Sequence, residues 1–221
     1  MIPALWISKT GLDAQQTNIS VTSNNLANAS TVGFKRGRAI FEDLLYQKIN
    51  QPGGRSSADG YLPEGLMIGA GAKVVATQRQ FGQGDVETTD NSFDLMIQGR
   101  GFFEIELPDG TTAYTRNGQF TKNEEGTIVT SGEGYPLLPQ IQVPENAVSL
   151  TVGRDGQVSV VVANENASQD LGQITVTDFI NPTGLESIGD NLFLETTASG
   201  APQQGIGGGS GRGARRRGCD A

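Results

Sequence analysis

Two pairs of carboxylates stand at a spacing that acid–base chemistry can use. Asp85 and Glu87, and likewise Glu104 and Glu106, are separated by one residue, which on a strand puts both side chains on one face. Such a pair could serve glycosidic chemistry, one carboxyl giving a proton while the other attacks or activates water. A solvated sheet face has the same spacing, and that is the stronger reading. Gly69-Ala70-Gly71 and the Gly205–Gly211 run share only composition with phosphate loops. Neither has the Gly-Lys-Ser/Thr ending and following helix that let backbone N–H groups cradle phosphate, so a turn and a flexible tail are expected. Lys35, Arg36 and Arg38 form a small basic patch, which could meet an acidic face but more often marks a solvated turn. The chain has no histidine and one cysteine, Cys219. That removes His-based triads, HExxH zinc sites and an internal disulfide. No catalytic, cofactor-binding or metal-ligating residue is assigned, and no cofactor is expected.

Composition narrows the classes further. The 221 residues are enough for one or two domains with a real core. With 31 glycines and 6% aromatics, many turns and short strands are favoured over a helical bundle. Lys and Arg number 16 against 24 Asp and Glu, a net charge of −8, which suits no nucleic acid, whose binding needs a basic surface to displace counterions. No run approaches the ~18–20 apolar residues of a membrane helix, so no membrane insertion is expected. The N-terminus lacks the basic region, apolar run and cleavage site of a secretory signal.

The elements that must position these groups begin with Met1–Arg36. Pro3 suits a first helical turn, and no proline follows it before Asn28. Leu5, Leu12, Ile19 and Leu26 stand seven apart, a row that drifts by only about 20° per step. A second row, Ile7, Ala14 and Val21, lies roughly 200° around the helix. The positions between are polar and nearly uncharged. A helix with apolar rows on opposite sides is built to be surrounded. Asn24, Asn25 and Asn28 cluster where it should stop, as short amides that bond backbone groups. Gly33 supplies a stop or left-handed turn, and Phe34 follows. From Ala39 to Ile49 the apolar spacing fits either a helix or an extended arm. From about Lys73 short alternating runs are separated by Pro108-Asp109-Gly110, Asn117-Gly118, Glu125-Gly126 and Asp155-Gly156, hairpin-like turn signals. Ser149–Val152 and Gln157–Val162 should pair across Gly153–Gly156, and Ile174–Ile180 should be a strand stopped by Asn181-Pro182. The fold expected is mainly β with an N-terminal α-helix: helix and Asn-rich turn over 1–33, extended linker or inner β arm over 34–72, antiparallel β domain over 73–204, and a disordered Gly/Arg tail over 205–221.

The stretch SNNLANASTVGFKR closely resembles the N-terminal motif of the bacterial flagellar axial proteins, the rod and hook family. LWISKTGLDAQQTNI and the QPGG…SS…LPEG stretch resemble its distal-rod branch in particular. LMIQGRGFFEIELPDG, AYTRNGQF and GDNLFLETTASGAP resemble further family landmarks, so the likeness runs from Met1 to about Gly205. It implies a structural subunit, not an enzyme, that polymerises helically into the shaft transmitting torque from motor to hook. Its N-terminal helix would pair with a C-terminal helix and line an inner tube, with the β domain outside. The implied partners are copies of itself, proximal rod and hook proteins, the surrounding basal-body ring proteins and the flagellar export apparatus. The implied location is the periplasm-spanning rod of the flagellum, reached without a cleaved signal peptide. On this reading Leu5, Leu12, Ile19 and Leu26 carry the main inner contacts, and Ile7, Ala14 and Val21 face another neighbour. Asn24, Asn25 and Asn28, with Gly33 and Phe34, fix the turn into the outer domain.

Two alternatives stand beside it. One is another axial subunit, a proximal rod or hook protein, against which the linker after Gln51 argues. The other is a secreted β-rich carbohydrate-binding or glycan-cleaving protein, which would not need a long uncharged helix. The end of the chain departs from the family. Ile206–Ala221 carries Arg212, Arg215, Arg216, Arg217 and Cys219 with no apolar periodicity. It is a basic tail for an anionic partner, an idle disordered end, or a departure from the reading frame near Gly205, where the family continues into a long C-terminal helix. The last is the expectation.

Overall fold

The computed structural model describes residues 3–51, 64–163, 168–206 and 214–216. Helix α1 runs from Pro3 to Ala27. The hydroxyls of Ser8, Thr17 and Ser20 turn back onto the carbonyls of Ala4, Asp13 and Gln16 at 2.9, 3.0 and 2.9 Å, so these polar residues are satisfied within the helix itself. Four strands follow: β1 (Gly37–Asp43), β2 (Tyr46–Asn50), β3 (Leu66–Gly69) and β4 (Ala72–Arg79). β1 pairs antiparallel with β4, from Gly37 opposite Arg79 to Asp43 opposite Ala72, and β2 pairs antiparallel with β3. Residues 39–49 are therefore extended. Their helical spacing loses because partners some twenty to forty residues away supply the ladder hydrogen bonds.

α1 packs on β1 and β4. The face turned inward is Ile7, Thr10, Ala14, Thr17, Val21 and Asn25, of which Ala14 is buried and the rest half-buried. Gly71, at φ +113° just before β4, approaches the helix closely: a Cβ there would lie 2.1 Å from Thr10 Oγ1. The helix and residues 36–80 form one compact unit. This moves a boundary expected at 73, because β4 belongs to the helix-bearing unit through its pairing with β1.

The second unit comprises residues 30–35 and 81 onward. Its strands are β5 (Leu95–Ile97), β6 (Phe103–Glu106), β7 (Thr112–Thr115), β8 (Phe120–Lys122), β9 (Ile128–Thr130) and β10 (Leu137–Leu138). Then come β11 (Ala147–Val152), β12 (Gln157–Val162), β13 (Ser168–Gln173) and β14 (Thr175–Asp178). After a 3-10 turn at Pro182–Gly184 follow β15 (Glu186–Gly189), β16 (Leu192–Leu194), β17 (Gln203–Ile206) and β18 (Ala214–Arg216). A five-stranded sheet has the order β10–β6–β7–β16–β15, a three-stranded one β11–β12–β13, and β14 pairs with β17. The hairpin expected across Gly153–Gly156 forms, with Val152 opposite Val158.

The β6–β7 pair is buried on both faces. Phe103 and Ile105 enter a core with Phe120, Leu137, Val158, Val160, Ile174 and Val176. Phe102 and Tyr114 face the other way, into an aromatic cluster with Phe179, Leu185 and Phe193. Rings there meet edge to face, Tyr114 on Phe179 at 4.8 Å and Phe81 on Phe102 at 5.4 Å, the arrangement aromatic quadrupoles prefer. One strand lies where a disordered tail was expected, Ala214–Arg216 paired with β5, and another, Gln203–Ile206 paired with β14, crosses the boundary expected at 205. Backbone pairing with strands far back in the chain orders them. The rest of 207–221, Arg212 and Cys219 included, lies outside the described residues, as does most of the Gly205–Gly211 run.

Candidate functional site

The carboxylates offered by spacing do not act as pairs. Asp85 and Glu87 are exposed in a segment without regular structure, so no strand aligns them. Glu104 is buried on β6, where it accepts hydrogen bonds from the Thr177 hydroxyl and from Gln204 Nε2 at 3.1 and 3.0 Å. Glu106, at the strand end, accepts from Gln140 Nε2 at 3.3 Å. The sheet face that looked solvated at Glu104 is covered by β14 and β17. Among the described residues no three His, Cys, Asp or Glu side chains gather as a metal-binding set. The basic patch is likewise taken apart. Lys35 donates to the Gly82 carbonyl at 2.8 Å, Arg36 to Gln80 Oε1 at 2.6 Å and Arg38 to Gln78 Oε1 at 2.8 Å.

What the chain presents to solvent is apolar surface on the helix-bearing unit. Leu5, Leu12, Ile19 and Leu26 are 68, 71, 64 and 77% exposed. The opposite row differs from expectation: Ile7, Ala14 and Val21 lie against the chain's own β1–β4 hairpin rather than being left bare for another subunit. One row is thus covered from within, and a row of four large aliphatics, spaced two helical turns apart, is not. Leu45, Tyr46, Ile49, Leu66, Met67 and Ile68 on the β2–β3 arm are also exposed.

The Asn-rich turn divides its work. Asn28 caps locally, its backbone and side-chain nitrogens donating to the Asn24 carbonyl at 3.2 and 3.0 Å. Asn25 reaches across to β1: its Nδ2 donates to the Gly37 carbonyl at 2.7 Å and its Oδ1 accepts from the Gly37 amide at 2.8 Å. This amide imitates a strand partner and ties the last helical turn to the hairpin. Asn25→Ala should leave both Gly37 groups without these bonds, loosening the hairpin by about 1–3 kcal/mol. Faster hydrogen exchange at the Gly37 amide would report it.

Beyond the turn, residues 30–35 are built into the β unit. Gly33 takes φ +79°, and a Cβ there would lie 2.8 Å from Asn117 Cα. Asn191 Nδ2 donates to the Val32 carbonyl at 3.1 Å. Phe34 is half-buried, its N–H donating to the Thr31 carbonyl at 3.3 Å. The Arg116 guanidinium donates to the carbonyls of Phe81 (3.2 Å) and Gly99, with its Cζ 5.8 Å from the Phe102 ring centroid. Sequence reasoning gave Gly33 and Phe34 to the turn into the outer domain and Lys35 to a basic patch, without foreseeing that residues 30–35 pack into the β unit.

Burial, and secondarily the Arg116 charge, pushes the Lys35 amine from 10.5 down to about 8. Burial, then the Glu104 and Glu195 carboxylates, pushes the Tyr114 phenol from 10.0 up to about 12. Above pH 8 the folded chain releases the Lys35 proton while the unfolded chain keeps it to about 10.5, so stability should rise with pH through that window. Above pH 10 the unfolded chain loses the Tyr114 proton that the folded chain retains, so stability should then fall. Since Lys35 keeps partial access to solvent, the rise should be about 1 kcal/mol after screening. Denaturant midpoints between pH 7 and 11 should peak near pH 10, and Lys35→Met should remove the ascending limb.

Residues 6–35 match the family "Flagella basal body rod protein", and residues 96–160 match "Flagellar hook protein FlgE/F/G D1 domain". The chain is 52% identical over 202 residues to the flagellar basal-body rod protein FlgG of Buchnera aphidicola subsp. Schizaphis graminum, covering 91% of this chain and 77% of that protein. To FlgG of Caulobacter vibrioides it is 49% identical, over 90% of this chain and 76% of that one. To FlgG of Borreliella burgdorferi it is 46% identical, over 99% and 83%. A bare-sided helix joined to a β body of the hook and rod type defines a structural subunit of the flagellar axis. The chain belongs to the FlgG family of flagellar basal-body rod proteins, the distal rod subunits.

Proposed function

We propose that this chain polymerises helically with copies of itself through the Leu5–Leu12–Ile19–Leu26 stripe, forming the length of distal rod that carries torque across the periplasm to the hook. The single observation that carries this reading is the asymmetry of α1: one apolar row is covered by the chain's own hairpin and the other is bare. A bare aliphatic stripe on a soluble monomer is a standing cost that burial against a neighbour removes, at about 1.5–3 kcal/mol per large side chain. Its neighbours at the ends of the stack would be proximal rod and hook proteins, with the basal-body rings around it. Delivery would run through the flagellar export apparatus without a cleaved signal. Among the described residues no helix is long and apolar enough to cross a membrane. The role is mechanical rather than catalytic, which the separate engagement of Glu104 and Glu106 supports. The test is sedimentation and electron microscopy of the purified chain across a concentration series. Concentration-dependent filaments or rod segments are expected, and a strict monomer at all concentrations would refute the reading.

A further inference from the structure

The β unit carries a strand edge whose two sides are held very differently. Leu95 and Ile97 of β5 are buried in the same core as Phe103 and Phe120, so β5 is fixed by its own side chains. One flank is closed from within the body. The Leu95 N–H donates to the Gly118 carbonyl at 2.8 Å, and the Leu95 carbonyl fills the place of a Gly118 Cβ. Successive residues of a strand turn their backbone groups to opposite sides, so Met96 presents its N–H and carbonyl on the other flank. There, among the described residues, the one strand neighbour is β18, with Ala214, Arg215 and Arg216 opposite Ile97, Met96 and Leu95. Met96 and Arg215 are thus the opposed pair that exchanges both backbone bonds.

β18 is the weaker member of this pair. It has three residues, and seven positions, five of them glycine, separate it from β17. Ala-Arg-Arg contains no β-branched or aromatic residue, the types that favour strands. Two things keep it beside β5. A short tether supplies an effective concentration of about a millimolar. Charge adds to it: residues 81–206 carry 18 Asp and Glu against 4 Lys and Arg, a field that favours a cationic segment over a neutral or acidic one.

We propose that the outer flank of β5 is a strand-acceptor site for an extended, arginine-bearing peptide of a partner protein, and that residues 214–216 occupy it as a tethered competitor. Main-chain bonds to Met96 supply affinity, as in other cases of strand addition to a sheet edge, and the acidic body selects cations. Exchange of one strand for another leaves the body intact, because Leu95 and Ile97 stay in the core. The site belongs to the β unit and does not depend on polymerisation.

The test uses the full chain and a labelled synthetic peptide, Gly-Ala-Arg-Arg-Arg-Gly, the sequence of residues 213–218. Arg215→Pro removes the N–H opposite Met96 and opens the edge, whereas Arg215→Ala keeps the backbone pair. Hydrogen exchange at the Met96 amide should be slow in the parent and in Arg215→Ala, and about tenfold or more faster in Arg215→Pro. Added peptide should slow it again in Arg215→Pro. Fluorescence anisotropy should show the peptide binding Arg215→Pro about tenfold more tightly than the parent. A Gly-Ala-Glu-Glu-Glu-Gly peptide should bind Arg215→Pro several-fold more weakly. Equal Met96 exchange in all three proteins would overturn the competitor, and fast exchange that the peptide does not slow would overturn the acceptor site. Equal binding of the two peptides would overturn the cationic partner. Loss of the melting transition in Arg215→Pro would make 214–216 part of the fold rather than a displaceable strand, and the proposal would fall.

Discussion

Leu12→Asp should abolish polymer formation while leaving the β unit folded. Leu12 lies mid-stripe, 71% exposed, on the side of α1 away from the hairpin. In the monomer the substitution touches nothing, and surface changes of this kind alter stability by about 0.5 kcal/mol or less. In the polymer proposed above the same position would be dry. There the change would remove the apolar burial of a leucine and place a carboxylate in the contact, a penalty of several kcal/mol per contact. Because every subunit repeats the contact, even a modest loss multiplies along the filament. The expected result is a soluble chain whose melting transition matches the parent and which yields no pelletable polymer. Normal polymer from Leu12→Asp would mean that the stripe is not the interface. Ala14→Asp makes the informative contrast, since Ala14 is buried against the hairpin and its replacement should strip the helix from its own unit before assembly is at issue.

The second large effect is expected at Gly33. Read as a helix stop, this glycine should accept asparagine, which tolerates the left-handed region. The structure demands more of it. At φ +79° a Cβ would meet Asn117 at three atoms within 2.9 Å, two of them backbone, and backbone cannot swing aside as a long side chain can. Left-handed strain contributes about 1–2 kcal/mol for an ordinary residue, and forced overpacking about 1–3 kcal/mol more. Gly33→Ala should therefore lower the melting temperature of the β unit by roughly 5–15 °C. Gly33→Asn should be nearly as damaging, because it relieves only the first term. Wild-type melting of Gly33→Asn would show that the dihedral alone matters and that the approach to Asn117 is slack. The position bears on assembly because residues 30–35 are the segment through which α1 is joined to the β body.

Local physics explains what the sequence by itself determined. A helix needs only neighbours three and four residues away, so α1, its two apolar rows and its Asn-rich end were legible in spacing alone. The hairpin across Gly153–Gly156 was legible because alternation and turn residues agree within sixteen positions. The family, and the distal rod role within it, was legible in ungapped motifs spanning most of the chain. Tertiary structure decided whatever depends on a distant partner. It selected Ile7, Ala14 and Val21 as the covered row, because the hairpin that covers them comes later in the chain. It made residues 39–49 extended, since β3 and β4 offered a ladder that periodicity could not foresee. It buried Glu104 beneath β14 and β17, whose residues Thr177 and Gln204 lie 73 and 100 positions away. Asn117-Gly118 has the residues of a hairpin turn, yet β7 pairs with β6 and β16 while β8 pairs with β9. The glycine is instead required by the backbone of Leu95, whose carbonyl occupies the place of its Cβ. A periodic pattern says that a face is apolar, but which chain covers it depends on contacts that spacing does not encode.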